Sequence, residues 1–294
     1  MLIVGVILEA FIETEKLNKC YGPVKAVQEL DMQVRKGEIF GFLGPNGAGK
    51  TTTIRIMTTL TKPTSGCVRI NGFDVVKEAD KVKKVIGVVQ QHLSLDRDLT
   101  VRENLEFRAR IHHLSAAERK KRISELLEYV ELSDCADRMI HTLSGGMQKR
   151  AAIACSLLHQ PQVLFLDEPT VGLDAQGRRR LWDLVRRLNM DGTTIFLTTH
   201  YIEEAEALCH RVGIIHHGRL IALDTPSALR QKLGSVAVEA NLNNKETHYK
   251  YFADRASATR YVQSLPATAG TVIIRDSNLE DVFVELTGEK VGGT

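Results

Sequence analysis

One stretch constrains this chain more than any other: the apolar run Ile39 to Leu43 passes straight into Gly44-Pro45-Asn46-Gly47-Ala48-Gly49-Lys50-Thr51-Thr52, and a helix-forming segment follows. A strand that delivers a glycine-rich turn to a helix start is the setting a phosphate-binding loop requires. The glycines let the backbone curl so that successive N–H groups face phosphate oxygens, and the helix start adds positive potential. Lys50 is placed to neutralise β and γ phosphates and Thr51 to hold Mg²⁺. Alone, such a turn also arises by chance. Here it commits the chain to an α/β core.

A second element supports the first. Val163 to Leu166 reads as a buried strand, and it ends in Asp167 and Glu168. Ligands of α/β proteins collect at the carboxyl ends of core strands, so Asp167 is a candidate for the Mg²⁺ shell and Glu168 for activating a water. The bland alternative is a surface turn that carries two acids. In the third element, Leu143-Ser144-Gly145-Gly146-Met147-Gln148, a helix-capping serine and two glycines precede an amphipathic helix. Helix starts attract anions, and glycines permit close backbone approach.

Around these elements the pattern alternates. Val85 to Val89 and Thr194 to Leu197 suit further buried strands, whereas Leu30, Met32 and Val34 alternate with polar residues and Cys67 to Ile70 precedes an Asn71-Gly72 turn. An antiparallel β-subdomain beside a parallel core is expected. Between Leu99 and Leu158 the period becomes helical, with capping-box spacing at Thr100 and Glu103 and at Ser115 and Glu118. After Ala222 the core signals fade. Thr225-Pro226 opens a short helix to about Leu233, a linker follows near Gly234, and Val236 to Ala240 and Val272 to Ile274 are strand candidates around a helix at Ala256 to Leu265. Ser277 with Glu280 is expected to cap a last helix ended by Gly288.

The three elements, in this order, resemble the ATP-binding cassette (ABC) family, and the resemblance runs from about Ile12 to Ala222. It implies an ABC cassette of the P-loop NTPase fold: a mixed sheet core with an antiparallel β-subdomain and a helical subdomain, spanning 12–233 with the helical part at about 93–160. A small α+β extension at 235–290 completes the chain. It also implies an ATPase with ATP and Mg²⁺ as its nucleotide and metal. By the same resemblance Tyr21 stacks on adenine, Gln90 senses Mg²⁺ and the attacking water beside a permease, His200 contacts the γ-phosphate, and Leu173-Asp174 lies in the loop through which subunits communicate. Ser144, Gly145 and Gly146 would complete the site of a second subunit. Two copies would then sandwich two ATP molecules, and a separate membrane permease would be the driven partner. Met147 stands where many members place glutamine, and Val171-Gly172 where Ser-Ala or Ser-Gly is commoner, which touches subunit crosstalk rather than hydrolysis.

Three further stretches resemble the daunorubicin-resistance branch of exporter ATPases: Met57 to Gly66, Leu95 to Leu105, and Leu279 to Gly288. Related branches move polysaccharides, lipids, sodium or antibiotics with similar engines. A rival reading is an ABC-type ATPase acting on ribosomes or nucleic acid, but the long heptad arms or second cassette of such members are absent from this sequence. A net charge of +3 gives no reason to expect nucleic acid as a partner. The five cysteines are scattered without a CxxC pair, so neither a disulfide framework nor zinc is suggested. No apolar stretch approaches the roughly 20 residues that cross a bilayer, and Leu2 to Leu8 lack a secretory leader's basic start. The expectation is a cytoplasmic protein bound peripherally to the membrane's inner face.

Overall fold

The computed structural model describes residues 10–91, 94–242, 246–266 and 269–288; the apolar run Leu2 to Leu8 lies outside them. Its centre is a six-stranded sheet ordered β10-β9-β3-β8-β7-β6. These strands are β3 (Ile39–Leu43), β6 (Ile86–Val89), β7 (Val163–Asp167), β8 (Thr194–Thr199), β9 (Arg211–His216) and β10 (Arg219–Asp224). All neighbours run parallel except the β9–β10 hairpin.

Alternation along the parallel strands sorts their side chains into two cores. Phe40 and Phe42 of β3, Val163 and Phe165 of β7, and Phe196 of β8 face one side. Phe196 is the hub, with ring centroids 5.5 to 5.8 Å from Phe40, Phe42 and Phe165. That core is closed by α1 (Lys50–Met57) and by an antiparallel sheet, β2-β1-β4-β5, made of β1 (Ala10–Tyr21), β2 (Val24–Arg35), β4 (Ser65–Ile70) and β5 (Phe73–Asp74). Ile39, Leu43, Leu164, Leu166, Ile195 and Leu197 face the other side and pack under the helices.

Between β6 and β7 the chain leaves the sheet as a helical arm: α3 (Val101–Ile111), α4 (Ala116–Tyr129) and α5 (Gly145–Ser156). Full capping boxes start α3 at Thr100 with Glu103 and α4 at Ser115 with Glu118. On α4, Ile123, Leu126 and Leu127 are buried, as their three- and four-residue spacing dictates.

The end of the chain departs from expectation in two places. A three-stranded antiparallel sheet, β12-β11-β13, contains β11 (Val236–Leu242) and β13 (Ala269–Asp276) and also β12 (Glu246–Phe252), which the sequence reading missed. The last helix, α10 (Leu279–Thr287), is capped by Asn278 with Asp281 rather than by Ser277 with Glu280. Ser277 is buried and donates its hydroxyl to the carbonyl of Gly234 at 2.6 Å, so it ties the helix to the linker instead. Arg275 of β13 forks onto Asp281 at 2.7 and 2.8 Å and also pairs with Glu239, fixing α10 to its sheet. Leu279, Val282 and Phe283 of α10 join the large core together with Leu229 of α8 (Pro226–Leu233) and Leu208 of α7 (Ile202–Leu208).

Candidate nucleotide site

Three strand ends converge on one point. β3 leads through Gly44 to Gly49 into α1, β7 ends at Asp167, and β8, between them, ends at Thr198 and Thr199. The loop is held in a shape that rejects larger residues. A Cβ at Gly44 would lie 2.3 Å from the Ile215 carbonyl, and one at Gly49 would lie 2.3 Å from that of Ala26. Gly49 also takes φ 108°, a region open to glycine.

Lys50 caps this arrangement from within. Its ammonium donates to the carbonyls of Gly44 and Pro45 at 2.9 and 3.0 Å and pairs with Glu168 Oε1 at 3.1 Å. Both partners of that ion pair are buried. Asp167 Oδ1 accepts from Thr198 Oγ1 at 2.6 Å and from Thr51 Oγ1 at 3.3 Å. Glu168 has φ 46°, costly for a residue with a side chain. Its backbone N–H is held there by the hydroxyl and carbonyl of Thr198, at 3.1 and 3.2 Å. His200 Nδ1 stands 3.3 Å from Glu168 Oε1.

The glutamine assignment needs correction. The sequence reading chose Gln90, but it is the next residue, Gln91, whose amide donates to Glu168 Oε2 at 3.3 Å. Gln91 lines the cavity over the loop, and Gln90 does not; Gln90 instead borders two neighbouring cavities, the smaller one beside Thr51 and Asp167. Lys149 of α5, almost fully buried, donates to the Gln91 carbonyl at 3.1 Å and so ties the helical arm to this loop. Burial pulls the Lys149 ammonium below the usual lysine range, opposed by the nearby carboxylates of Asp167, Glu168 and Glu204. Gln91, Lys149 and Thr198 are the site-forming residues that sequence reasoning did not find.

The cavity itself holds about 680 Å³ and is lined by Asn46, Gly47, Gly49, Lys50, Thr51, Thr52, Gln91 and Glu168, and also by Lys25 and His217. Glycine N–H groups, the Lys50 ammonium and the hydroxyl–carboxylate pair of Thr51 and Asp167 suit a magnesium-bound polyphosphate, since magnesium favours one or two carboxylates plus phosphate oxygens. Thr51 and Asp167 are the residues that would hold the metal. Tyr21 ends β1, a residue 45% exposed, with the Lys19 ammonium 4.8 Å from its ring centroid; it does not line the cavity, although Pro23 and Val24 do.

Ser144, Gly145 and Gly146 lie elsewhere. Ser144 is the N-cap of α5, its hydroxyl accepting from Met147 N at 3.3 Å. Asp174 likewise caps α6 (Ala175–Met190) through Gly177 N at 2.6 Å. The two helix starts border one cavity of about 450 Å³ that shares no lining residue with the cavity over the loop.

Comparison with known proteins places this geometry. Residues 27–171 match the family model described as ABC transporter. The chain is similar to the daunorubicin resistance ATP-binding protein DrrA3 of Streptomyces coeruleorubidus, 39% identical over 95% of this chain and 96% of the relative. It is also similar to the Nod factor export ATP-binding protein I of Paraburkholderia xenovorans, 39% identical over 96% and 99%. Among solved structures, a dimeric ATP-binding cassette in a post-hydrolysis state bound to ADP and Pi superposes with a TM-score of 0.66 at 31% identity, covering 73% of this chain and 98% of that one.

Proposed function

Because the chain belongs to the ABC transporter family, as an ATP-binding and ATP-hydrolysing subunit resembling the daunorubicin-resistance branch, we propose that two copies clasp two ATP molecules and drive export through a separate membrane permease. Residues 12–233 form the nucleotide-driven unit in this reading, and 235–290 an appended one. The cargo is drug-like, lipid or polysaccharide in this reading, and relatives named for daunorubicin resistance and Nod factor export support an export role. In this reading the path for cargo belongs to the permease and this chain sits peripherally on the cytoplasmic face; no described helix is long and apolar enough to cross a membrane.

The observation that carries the proposal is the separation of the two cavities. The loop cavity has Lys50 and Glu168 but lacks the Ser144–Gly146 helix start, which opens onto its own cavity. A single copy therefore holds two half-sites, and a second copy related by a twofold axis completes both.

Each residue then has a task. Backbone N–H groups of Gly47, Ala48 and Gly49 cradle the phosphates, and Lys50 exchanges its present partner, Glu168, for phosphate oxygens. Thr51 and Asp167 would hold magnesium, which would supply neutralisation of phosphate charge. Glu168, released from Lys50, accepts a proton from the attacking water at its carboxylate. Gln91, rather than Gln90, and His200 flank that carboxylate and orient the water and the γ-phosphate. Ser144, Gly145 and Gly146 of the partner close the γ-phosphate side, with the Asp174 loop beside them. Tyr21, at the rim, swings onto the base.

The permease has a groove to enter. A cavity of about 490 Å³ lies between β6 and the arm, walled by Val88, Leu95, Arg108, Cys155 and the stacked rings of His112 and His159, centroids 4.1 Å apart. Burial holds both imidazoles below the usual histidine range, which leaves Arg108 and Lys83 as the cations of this wall. A cytoplasmic segment of the permease seated there would feel every movement of α5.

Gly146→Asp tests the proposal. Space is open at this glycine, the nearest atom to an added Cβ being Gly177 Cα at 3.9 Å, so the fold tolerates the change. The new carboxylate would face the γ-phosphate bound by the partner. Dimerisation with MgATP should be lost in light scattering, while ADP affinity of the single chain stays within about twofold, below the ~1.4 kcal/mol that a tenfold change represents. A variant that still dimerised would sink the sandwich.

A further inference from the structure

The β9–β10 hairpin was not anticipated as part of the site, yet its tip is sewn to the phosphate loop. His217 and Gly218 form the two-residue turn, with φ 45° and 77°, the left-handed pair that a tight hairpin needs. Gly218 N donates to the Ala48 carbonyl at 3.0 Å and Gly218 O accepts from Gln28 N at 2.8 Å. The His217 carbonyl accepts from Gln28 Nε2 at 2.8 Å. With its backbone held in this way, His217 is exposed and lines the loop cavity alongside Lys25 and Asn46.

The other flank of the tip meets the C-terminal extension. The rings of His217 and His216 lie 4.0 Å apart, and His216 meets Phe283 of α10 in an edge contact at 5.8 Å and 88°. Phe283 is fully buried, and α10 is clamped to the terminal sheet by Arg275 and by the Tyr251 hydroxyl, both on Asp281. Contact is therefore continuous from the terminal sheet, through α10 and His216, to a side chain at the cavity wall.

From this continuity we infer that His217 is a further nucleotide-binding residue and that Phe283, acting through His216, is its positioning residue. The inference rests on the loop cavity being the nucleotide site. The imidazole offers a hydrogen-bond donor and a ring face to a nucleoside polyphosphate. The extension thereby sets how well each copy holds its own nucleotide, before any second copy arrives. A change in the seating of α10 reaches the nucleotide without passing through the helical arm.

The test is titration of the full-length chain with MgADP by calorimetry. His217→Asn keeps a residue that tolerates the left-handed turn and removes the imidazole; it should raise Kd about fivefold, the scale of one hydrogen bond. Phe283→Leu should raise Kd by about two- to fivefold in the parent background, by partial loss of the same contact, and should add nothing once His217→Asn is present. That non-additivity separates positioning from general loosening of the fold. If Phe283→Leu does not fold, His216→Ala takes its place in the same cycle. Unchanged affinity in His217→Asn, or an undiminished Phe283→Leu effect in its background, overturns the inference while the nucleotide site stands. A parent chain that bound no ADP would overturn both.

Discussion

Glu168→Gln should lower ATP turnover by about 100-fold or more, the scale of a general base in its working position, and should leave nucleotide binding intact. The substitution keeps the size of the side chain, the Thr198 bonds to its backbone and the amide contact available to Gln91. What it removes is the carboxylate that takes the proton. In the proposed sandwich hydrolysis separates the two copies, so the variant should also accumulate as a dimer when MgATP is added. Malachite-green phosphate release gives the rate and size-exclusion chromatography with light scattering gives the mass. Turnover at the parent rate would strip Glu168 of its assigned part.

Lys50→Ala should act earlier, on binding itself. Truncating one partner of a buried, hydrogen-bonded charge pair costs about 2–5 kcal/mol, so ATP affinity should fall at least about thirtyfold. A second effect follows from the ion pair between Lys50 and Glu168, both buried. Without nucleotide, the variant leaves Glu168 facing His200 and the Gln91 amide without its cation. A stranded buried charge costs about 3 kcal/mol or more, so the nucleotide-free chain should also melt several degrees lower. Titration with labelled ATP and a thermal melt check the two effects separately. An unchanged titration contradicts the assignment of Lys50.

Much of the site was legible because its chemistry is local. The phosphate loop spans consecutive residues, and Asp167 and Glu168 are adjacent at a strand end, so type and order suffice to find them. The glutamine was harder. Gln90 and Gln91 are neighbours at the exit of an edge strand, where successive side chains point to opposite faces. Which one meets Glu168 depends on where pairing with β7 stops, after Val89, and that is a property of two segments 77 residues apart. Thr198 hides for a related reason: in Thr194 to Thr199 it reads as one more β-branched strand residue, and its hydroxyl acquires meaning only beside Asp167. Lys149 looks like a solvated helix cation until the loop at Gln91 folds over it.

In the extension the difficulty was polarity. The strand Glu246–Phe252 mixes polar, charged and aromatic residues without a clear apolar alternation, and it pairs throughout with β11, which supplies the buried face through Val236 and Val238. Asn278 and Ser277 are both competent caps by type. The backbone decided between them by turning Ser277 inward onto Gly234.

One mixing experiment probes the composite site most directly. Glu168→Gln carries a silent loop cavity and an intact Ser144–Gly146 helix start; Gly146→Asp carries the reverse. Each alone should release phosphate at no more than about a hundredth of the parent rate. Mixed without nucleotide and then given MgATP, they can form pairs holding one complete site, made of the loop of one copy and the helix start of the other. Turnover well above the sum of the separate variants is the predicted result. A mixture no faster than that sum, from variants shown to be folded, would contradict a site built from two copies.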